Sequence, residues 1–351
     1  MRDDDKLLTH PDPEYGSGVI GVCDICGVRQ AIIVLDKERY KLCVIDFLNK
    51  TWLKSEKTPG APLPPYRSDR IWFETDEVSG GKAAAIRLVP TKVMRHPVVL
   101  ITPDTYGITT TLLDAAIRFA KEGLEVLIPD IGRTIGVGMK EHAALRAAGW
   151  LRGGVSIESP PVARLIRLYQ DALAHLRAGE MIDPNKSALF GTSYGASLAL
   201  GLAAQDVRLT ATVLAYPAPT RPVGLVTLVT APLLFVTAGG DAASRKSEAQ
   251  FREVAPHLKA TVEFAPFPRA RRDFLARDKS SYDLATAEAA WAKITEFLRR
   301  NLLPPPPRPA APPVRTTLPP PPLAAKPTVP TAPSTPPAAG LPAHAPTPPA
   351  A

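Results

Sequence analysis

The sequence predicts an α/β fold, a mostly parallel sheet with helices on both faces, preceded by a small module of the zinc-ribbon or treble-clef kind. Three observations predict it. Beyond residue 96, short apolar runs alternate with stretches of helical period. The runs are apolar throughout, as strands covered on both faces must be. A serine set between glycines, in "LFGTSYGAS", joins one such run directly to a helix of small residues.

Five segments follow in order. Residues 1–17, "MRDDDKLLTHPDPEYGS", are charged and carry no apolar core, so no signal peptide is expected. Residues 18–57 hold all three cysteines. Cys23 and Cys26 form a C-x-x-C knuckle, and "QAIIVL" and "RYKLC" read as two strands joined by the turn Asp36-Lys37-Glu38. Cys43 opens a helix and is spaced from Asp46 as Cys23 is from Cys26, with a carboxylate in place of the second sulfur. Two knuckles across a hairpin fix small zinc modules, so Cys23, Cys26, Cys43 and Asp46 are the expected ligands of a structural Zn²⁺. A knuckle that has lost its metal is the first alternative. A redox dithiol is the second, disfavoured because no helix N-terminus follows Cys23 to stabilise a thiolate. Three cysteines make no disulfide framework, and a reducing cytoplasm is the expected location.

Residues 58–69 are a proline-rich linker, and residues 70–303 form the main domain. There "RIWFET" and "KAAAIRLVP" pair around "DEVSGG". "HPVVLITP" is a buried strand, "TTLLDAAIRFAKEG" a helix ended by Gly123, and "LEVLIPD" the next strand. Residues 130–158 are irregular and rich in glycine, and a helix follows over "PVARLIRLYQDALAHLRAG". The strand "SALF", the serine turn and a helix from Gly195 to about Gln205 come next. "TATVLAY" and "PLLFVTA" are strands, then a helix over 244–258, the strand "TVEFAP" and a last helix from Tyr282 to Leu302.

Residues 304–351 carry 20 of the chain's 40 prolines and no acidic residue, a composition that cannot bury enough apolar surface to order itself. Of the net charge of +8, Arg308, Arg315 and Lys326 place +3 in this tail, leaving +5 elsewhere. That balance suits solubility and weak attraction to anions and does not by itself indicate a nucleic-acid binder. No run reaches the roughly 18 apolar residues of a membrane span. The zinc module and the tail are the segments expected to meet a protein partner.

The chemistry centres on Gly191-Thr192-Ser193-Tyr194-Gly195, which fits G-x-S-x-G. A strand-to-helix turn this tight needs small neighbours and lifts the serine hydroxyl above the sheet edge. The Tyr194 backbone N–H would be one oxyanion donor, and the loop "DTYG", through Asp104 and Thr105, should supply the second. The order nucleophile, acid, histidine makes Asp241, just past "PLLFVTAGG", the candidate acid; a helix cap before Ser244 is the simpler reading of the same residue.

Residues 70–303 resemble the dienelactone hydrolase family of α/β hydrolases. The matching phrases are "PVVLITPDTYGI", "AAIRFAKEGLEVLIPD", "DPNKSALFGTSYGASLAL", "PLLFVTAGGD" and "FPRARRDFLARDKSSYDLATAEAAWAKITEFL". The resemblance implies the α/β-hydrolase fold, hydrolysis of a small carboxylic ester or lactone through an acyl-enzyme, and no catalytic cofactor. Ser193 stands where the dienelactone enzymes carry cysteine, and Asp104 where they carry a glutamate. Aligned on Phe267 and Phe274, Arg272 occupies the family's histidine position and Asp273 that of the following glycine.

A guanidinium has five donors and no acceptor and stays protonated, so Arg272 cannot take the proton of Ser193. It could pair with Asp241 or hold an anion beside Ser193. His96 and His257 are expected at the wrong edge of the sheet, and His175 on a helix face. His142 could overhang the site, and His10 and His344 lie in the tails. Three functions compete: a hydrolase with an altered base, a non-catalytic binder of an anionic ligand or protein partner, and, weakest, a nucleic-acid binder using "RARRDFLAR".

Overall fold

The computed structural model describes residues 65–91, 95–103, 107–130 and 154–304, together with the backbone of short strands between Leu7 and Leu42. The chain divides into two units, Met1–Pro305 and Pro306–Ala351, and everything described below belongs to the first. The expected zinc ligands Cys23, Cys26, Cys43 and Asp46, the expected oxyanion residues Asp104 and Thr105, the histidines His10, His142 and His344, and the proline-rich tail lie outside the described residues. In the N-terminal segment Ile33–Leu35 pairs antiparallel with Tyr40–Leu42, the hairpin expected around Asp36-Lys37-Glu38.

The main sheet has eight strands: β1 (Tyr66–Glu74), β2 (Lys82–Pro90), β3 (His96–Thr102), β4 (Glu125–Pro129), β5 (Ile182–Thr192), β6 (Ala211–Ala215), β7 (Leu233–Ala238) and β8 (Val262–Phe267). Their order is β8-β7-β6-β5-β3-β4-β2-β1. Strand β2 runs antiparallel to both its neighbours, and every other pairing is parallel. All the strands from β3 onward therefore end at one edge, where the loops that follow them can meet. Side chains of β3, β4, β6 and β7 are buried throughout, and those of β5 from Ser187 onward, which is why these stretches read as mostly apolar runs. Strand β5 starts earlier than "SALF", at Ile182, with Asp183 to Lys186 outside the buried part.

The two faces are covered separately. On one, helices α1 (Thr110–Lys121) and α5 (Leu284–Leu302) pack Phe119, Trp291, Ile294 and Leu298 against the sheet. Phe119 meets Phe190 of β5 edge-on at 5.2 Å between ring centroids. On the other, α2 (Pro160–Arg177), α3 (Ser193–Ala203) and α4 (Ala242–Val254) bring Leu165, Tyr169, Leu198, Leu202 and Phe251 onto it. Each such fully buried side chain contributes about 1.5–3 kcal/mol. A Cβ at Gly201 would stand 2.7 Å from Ile166 Cδ1, so the glycine lets α2 lie close against α3.

Helix ends follow local chemistry. Gly123, at φ 88°, ends α1, with its N–H on the Ala120 carbonyl and that of Leu124 on Phe119. The expected helix at 244–258 begins earlier, at Ala242, because Asp241 caps it; its α-helical part stops at Val254 and a 3₁₀ turn over Ala255–His257 follows. The last helix begins at Leu284 and not at Tyr282, since Asp283 accepts from the Thr286 N–H at 2.8 Å.

Candidate active site

Ser193 follows β5 without an intervening residue and opens α3. It holds φ 52°, a left-handed conformation that side chains other than glycine, asparagine and aspartate seldom take, and this strain is what turns its hydroxyl away from the strand. The surrounding backbone enforces the turn. A Cβ on Gly195 would lie 2.2 Å from the Thr102 carbonyl oxygen, and one on Gly191 would lie 2.6 Å from the Gly195 carbonyl. Thr102 at the end of β3 completes the clasp, its hydroxyl donating to the Gly195 carbonyl at 2.8 Å. Tyr169 donates to the Pro103 carbonyl at 3.1 Å and so steadies the start of the loop where Asp104 and Thr105 follow.

Tyr194 lies in the first turn of α3, where backbone N–H groups have no intrahelical acceptor. Its phenol is buried, and burial pushes its pKa up to about 12, so the side chain stays a neutral wall.

Asp241 and Arg272 arrive on the loops after β7 and β8. The loops interlock through backbone: Gly239 N–H donates to Phe267 at 2.9 Å and Gly240 N–H to Ala270 at 2.7 Å. Both positions must be glycine, because a Cβ would meet Pro268 at 2.6 Å or Ala270 at 2.9 Å. Phe274 packs between Phe267 and Tyr216, with centroids at 5.5 and 5.7 Å, and anchors the second loop over the sheet edge. Arg272 Nη1 then donates to Ser193 Oγ at 2.7 Å. On its other side Nη2 and Nε donate to Asp241 Oδ2 at 2.8 and 3.2 Å. The same oxygen accepts the Ser244 N–H at 2.8 Å, so Asp241 is at once helix cap and ion-pair partner. Both side chains of the pair are only 17% exposed, which keeps their attraction from being screened away.

Asp273 sits at φ 62°, a left-handed conformation for which glycine is suited, in keeping with the glycine position that the resemblance implies here. Burial raises its carboxyl pKa, and the Arg272 charge offsets part of that rise.

Ser193, Asp241 and Arg272 thus form one hydrogen-bonded line, with the Tyr194 backbone at the same turn. The other sequence candidates stay apart. His96 lies at the start of β3, at the opposite edge, buried and with its pKa lowered by that burial. His175 is near the end of α2 beside Phe73, and His257 follows α4 on the surface. None of these three described histidines bonds to Ser193. Among the described residues no cluster of three or more His, Cys, Asp or Glu could hold a metal, and no helix is long and apolar enough to cross a membrane. Sequence reasoning missed Thr102 and the Gly239-Gly240 pair, and noted Asp273 at a glycine position without drawing its strain. Of the two residue sets missed, only the glycine pair in "AGGD" carries a signal, two consecutive residues without side chains before a candidate acid.

A strained serine between a parallel strand and a buried helix, at the edge where the other strands end, defines the class: this is an α/β-hydrolase fold. Within it the profile of the dienelactone hydrolase family matches residues 83–302, and the chain belongs to that family. A relative from Bradyrhizobium sp., named "Probable 2-oxo-3-(5-oxofuran-2-ylidene)propanoate lactonase", is 24% identical over 224 residues, which span 61% of this chain and 87% of the relative. Among solved structures, the "dienelactone hydrolase-like promiscuous phosphotriesterase P91" from metagenomic libraries superposes with a TM-score of 0.54 at 18% identity, over 68% of this chain and 99% of its own. The acylaminoacyl peptidase of Pyrococcus horikoshii gives 0.54 at 16% identity, over 78% of this chain and 46% of its own. At these identities the structural likeness concerns the fold alone.

Proposed function

We propose that the chain acts on small carboxylic esters or lactones through nucleophilic attack by Ser193, with little turnover because Arg272 fills the place of the base. One observation carries this reading: the guanidinium is hydrogen-bonded to the serine oxygen and the candidate acid together, at 2.7 and 2.8 Å. Ser193 keeps a strained turn suited to a nucleophile, and from the sequence the Tyr194 N–H and the loop of Asp104 and Thr105 would supply the oxyanion donors. The family membership and the lactonase name of the Bradyrhizobium relative favour an ester or lactone as ligand.

The second reading, a non-catalytic protein that holds an anionic ligand or a protein partner, draws on the cationic side chain in the cleft. Asp241 weighs against it, because its carboxylate already neutralises that charge at contact distance.

A fluorophosphonate probe separates the two. Labelling of the folded wild type that disappears in Ser193→Ala supports the nucleophile, whereas a folded chain that takes no label returns the cleft to the binding reading. A structural zinc on Cys23, Cys26, Cys43 and Asp46 is proposed from their spacing alone. Native mass spectrometry should find one zinc per chain, lost in Cys23→Ser, and a metal-free wild type ends that proposal.

A further inference from the structure

In a serine triad the imidazole does two jobs. It takes the serine proton during acylation and later activates the water that frees the acyl group. The guanidinium of Arg272 can do neither, yet it stands 2.7 Å from Ser193 Oγ with its plane held by Asp241. In that geometry Ser193 Oγ accepts a charge-assisted hydrogen bond, and the serine's own hydrogen points away from Arg272. Negative charge developing on Oγ is stabilised by a fixed cation at an edge that also offers the first turn of α3.

The two half-reactions respond differently to this exchange. Acylation by an ester with a good leaving group needs the alkoxide but no acid to protonate the departing oxygen. Deacylation is the attack of water on a plain serine ester, a poor electrophile, and here the missing base is decisive.

We propose that Ser193 is a one-way acyl acceptor: activated acyl donors such as aryl esters or enol-lactones acylate it, and the acyl-enzyme then stalls. The step balances. Hydroxide from solvent removes the Ser193 proton as water, and Oγ attacks the carbonyl carbon. The bond from that carbon to the leaving oxygen breaks, and that oxygen takes the electron pair, an aryl ester releasing it as phenolate. In an enol-lactone the ring opens and the enolate stays tethered to the acyl chain on Ser193; a proton taken from water at its carbon gives the ketone, which removes the nucleophile that could reverse the step.

The inference rests on Ser193 being the nucleophile, so its test reports on both. Full-length protein is mixed with excess p-nitrophenyl acetate while p-nitrophenolate release and intact mass are followed. The expected result is a burst of about one p-nitrophenolate per chain, then release slower by at least about 10³-fold. One acetyl group should persist on Ser193 after the ester is removed, and Ser193→Ala should show neither burst nor acetyl. The burst rate should rise with hydroxide concentration with no inflection near the imidazole pKa of about 6.5. Arg272→His should introduce that inflection and raise steady turnover by at least about 10²-fold.

Steady wild-type turnover without accumulated acetyl would overturn the stall and leave Ser193 as nucleophile. Acylation of Arg272→His but not of wild type would show that the guanidinium suppresses the serine, which also overturns the inference. If neither protein is acylated, the nucleophile reading falls with it. The wild-type burst and mass decide the matter alone should Arg272→His fail to fold.

Discussion

At the elbow, Gly191 and Gly195 are enclosed by backbone, with the nearest atoms 2.6 and 2.2 Å from where a Cβ would stand. At position 272 the constraint is of another kind. The loop there takes its path from Gly239, Gly240, Phe274 and the left-handed Asp273, and the Arg272 side chain only reaches across from it. A change at the elbow must move main chain at the end of β3 or in the first turn of α3, whereas a change at 272 exchanges one side chain on a loop that already faces the serine. The serine turn is therefore tied to the fold, while the side chain at 272 can change without disturbing it. Membership in the family speaks for the fold and says nothing of the residue at 272.

The hardest way to break this contrast is at the elbow. Gly195→Val would drive two branched carbons into the Thr102 and Pro103 carbonyls, which are backbone and cannot rotate aside. A loss above about 4 kcal/mol, or no folded protein at all, is expected in urea unfolding. If the variant melts within a few degrees of wild type, the elbow is more compliant than its contacts imply, and the contrast weakens from that side.

The loop pair should yield less. Asp241→Ala removes the cap of α4, worth about 1 kcal/mol, and leaves a mostly buried guanidinium without its carboxylate. Together these should cost about 2–4 kcal/mol. Asp241→Asn keeps an oxygen for the Ser244 N–H and loses only the charge, so about half that cost is expected. Equal losses in the two variants would leave the cap without a share. A loss under about 1 kcal/mol in Asp241→Ala would mean that the backbone bonds from Gly239 and Gly240 hold the loops unaided.

How far the sequence reveals each part follows the same division. The strands from β3 to β7 are legible because burial on both faces leaves their central stretches mostly apolar, and the elbow is legible because its glycines are obligatory. Asp241 admitted two readings, cap and acid partner, and its Oδ2 serves the Ser244 N–H and the Arg272 guanidinium together; no local pattern encodes such sharing. The Thr102 clasp joins positions 93 residues apart and exists only once β3 and β5 pair. The 3₁₀ turn over Val223–Leu228 buries Val226 beneath a segment without periodicity, so nothing local announces it. Arg272 was identified from the register of the surrounding phrase, and the positive φ of Asp273 gives that register a physical reason: the neighbour of position 272 suits glycine.

That neighbour offers the finest test. Asp273 combines a left-handed backbone with a carboxyl whose pKa is raised, burial outweighing the attraction of Arg272. Asp273→Gly relieves the backbone strain of about 1–2 kcal/mol, offset by the extra chain entropy of glycine. A net gain of up to about 1 kcal/mol at neutral pH is expected. Its pH dependence has a definite sign. Because the folded pKa lies above the unfolded value of about 3.9, the ionised carboxylate opposes folding at neutral pH and the neutral acid does not. The gain should therefore be fullest above the folded pKa, shrink as pH falls through it, and settle below the unfolded value to the backbone part alone. Asp273→Asn, which keeps the side chain and removes the charge, should show the pH-dependent part without the constant one. If Asp273→Gly instead destabilises the protein at neutral pH, the carboxylate's attraction to Arg272 exceeds its burial cost. Position 273 would then belong with the ion cluster on the side-chain half of the comparison, not with the backbone that shapes the loop.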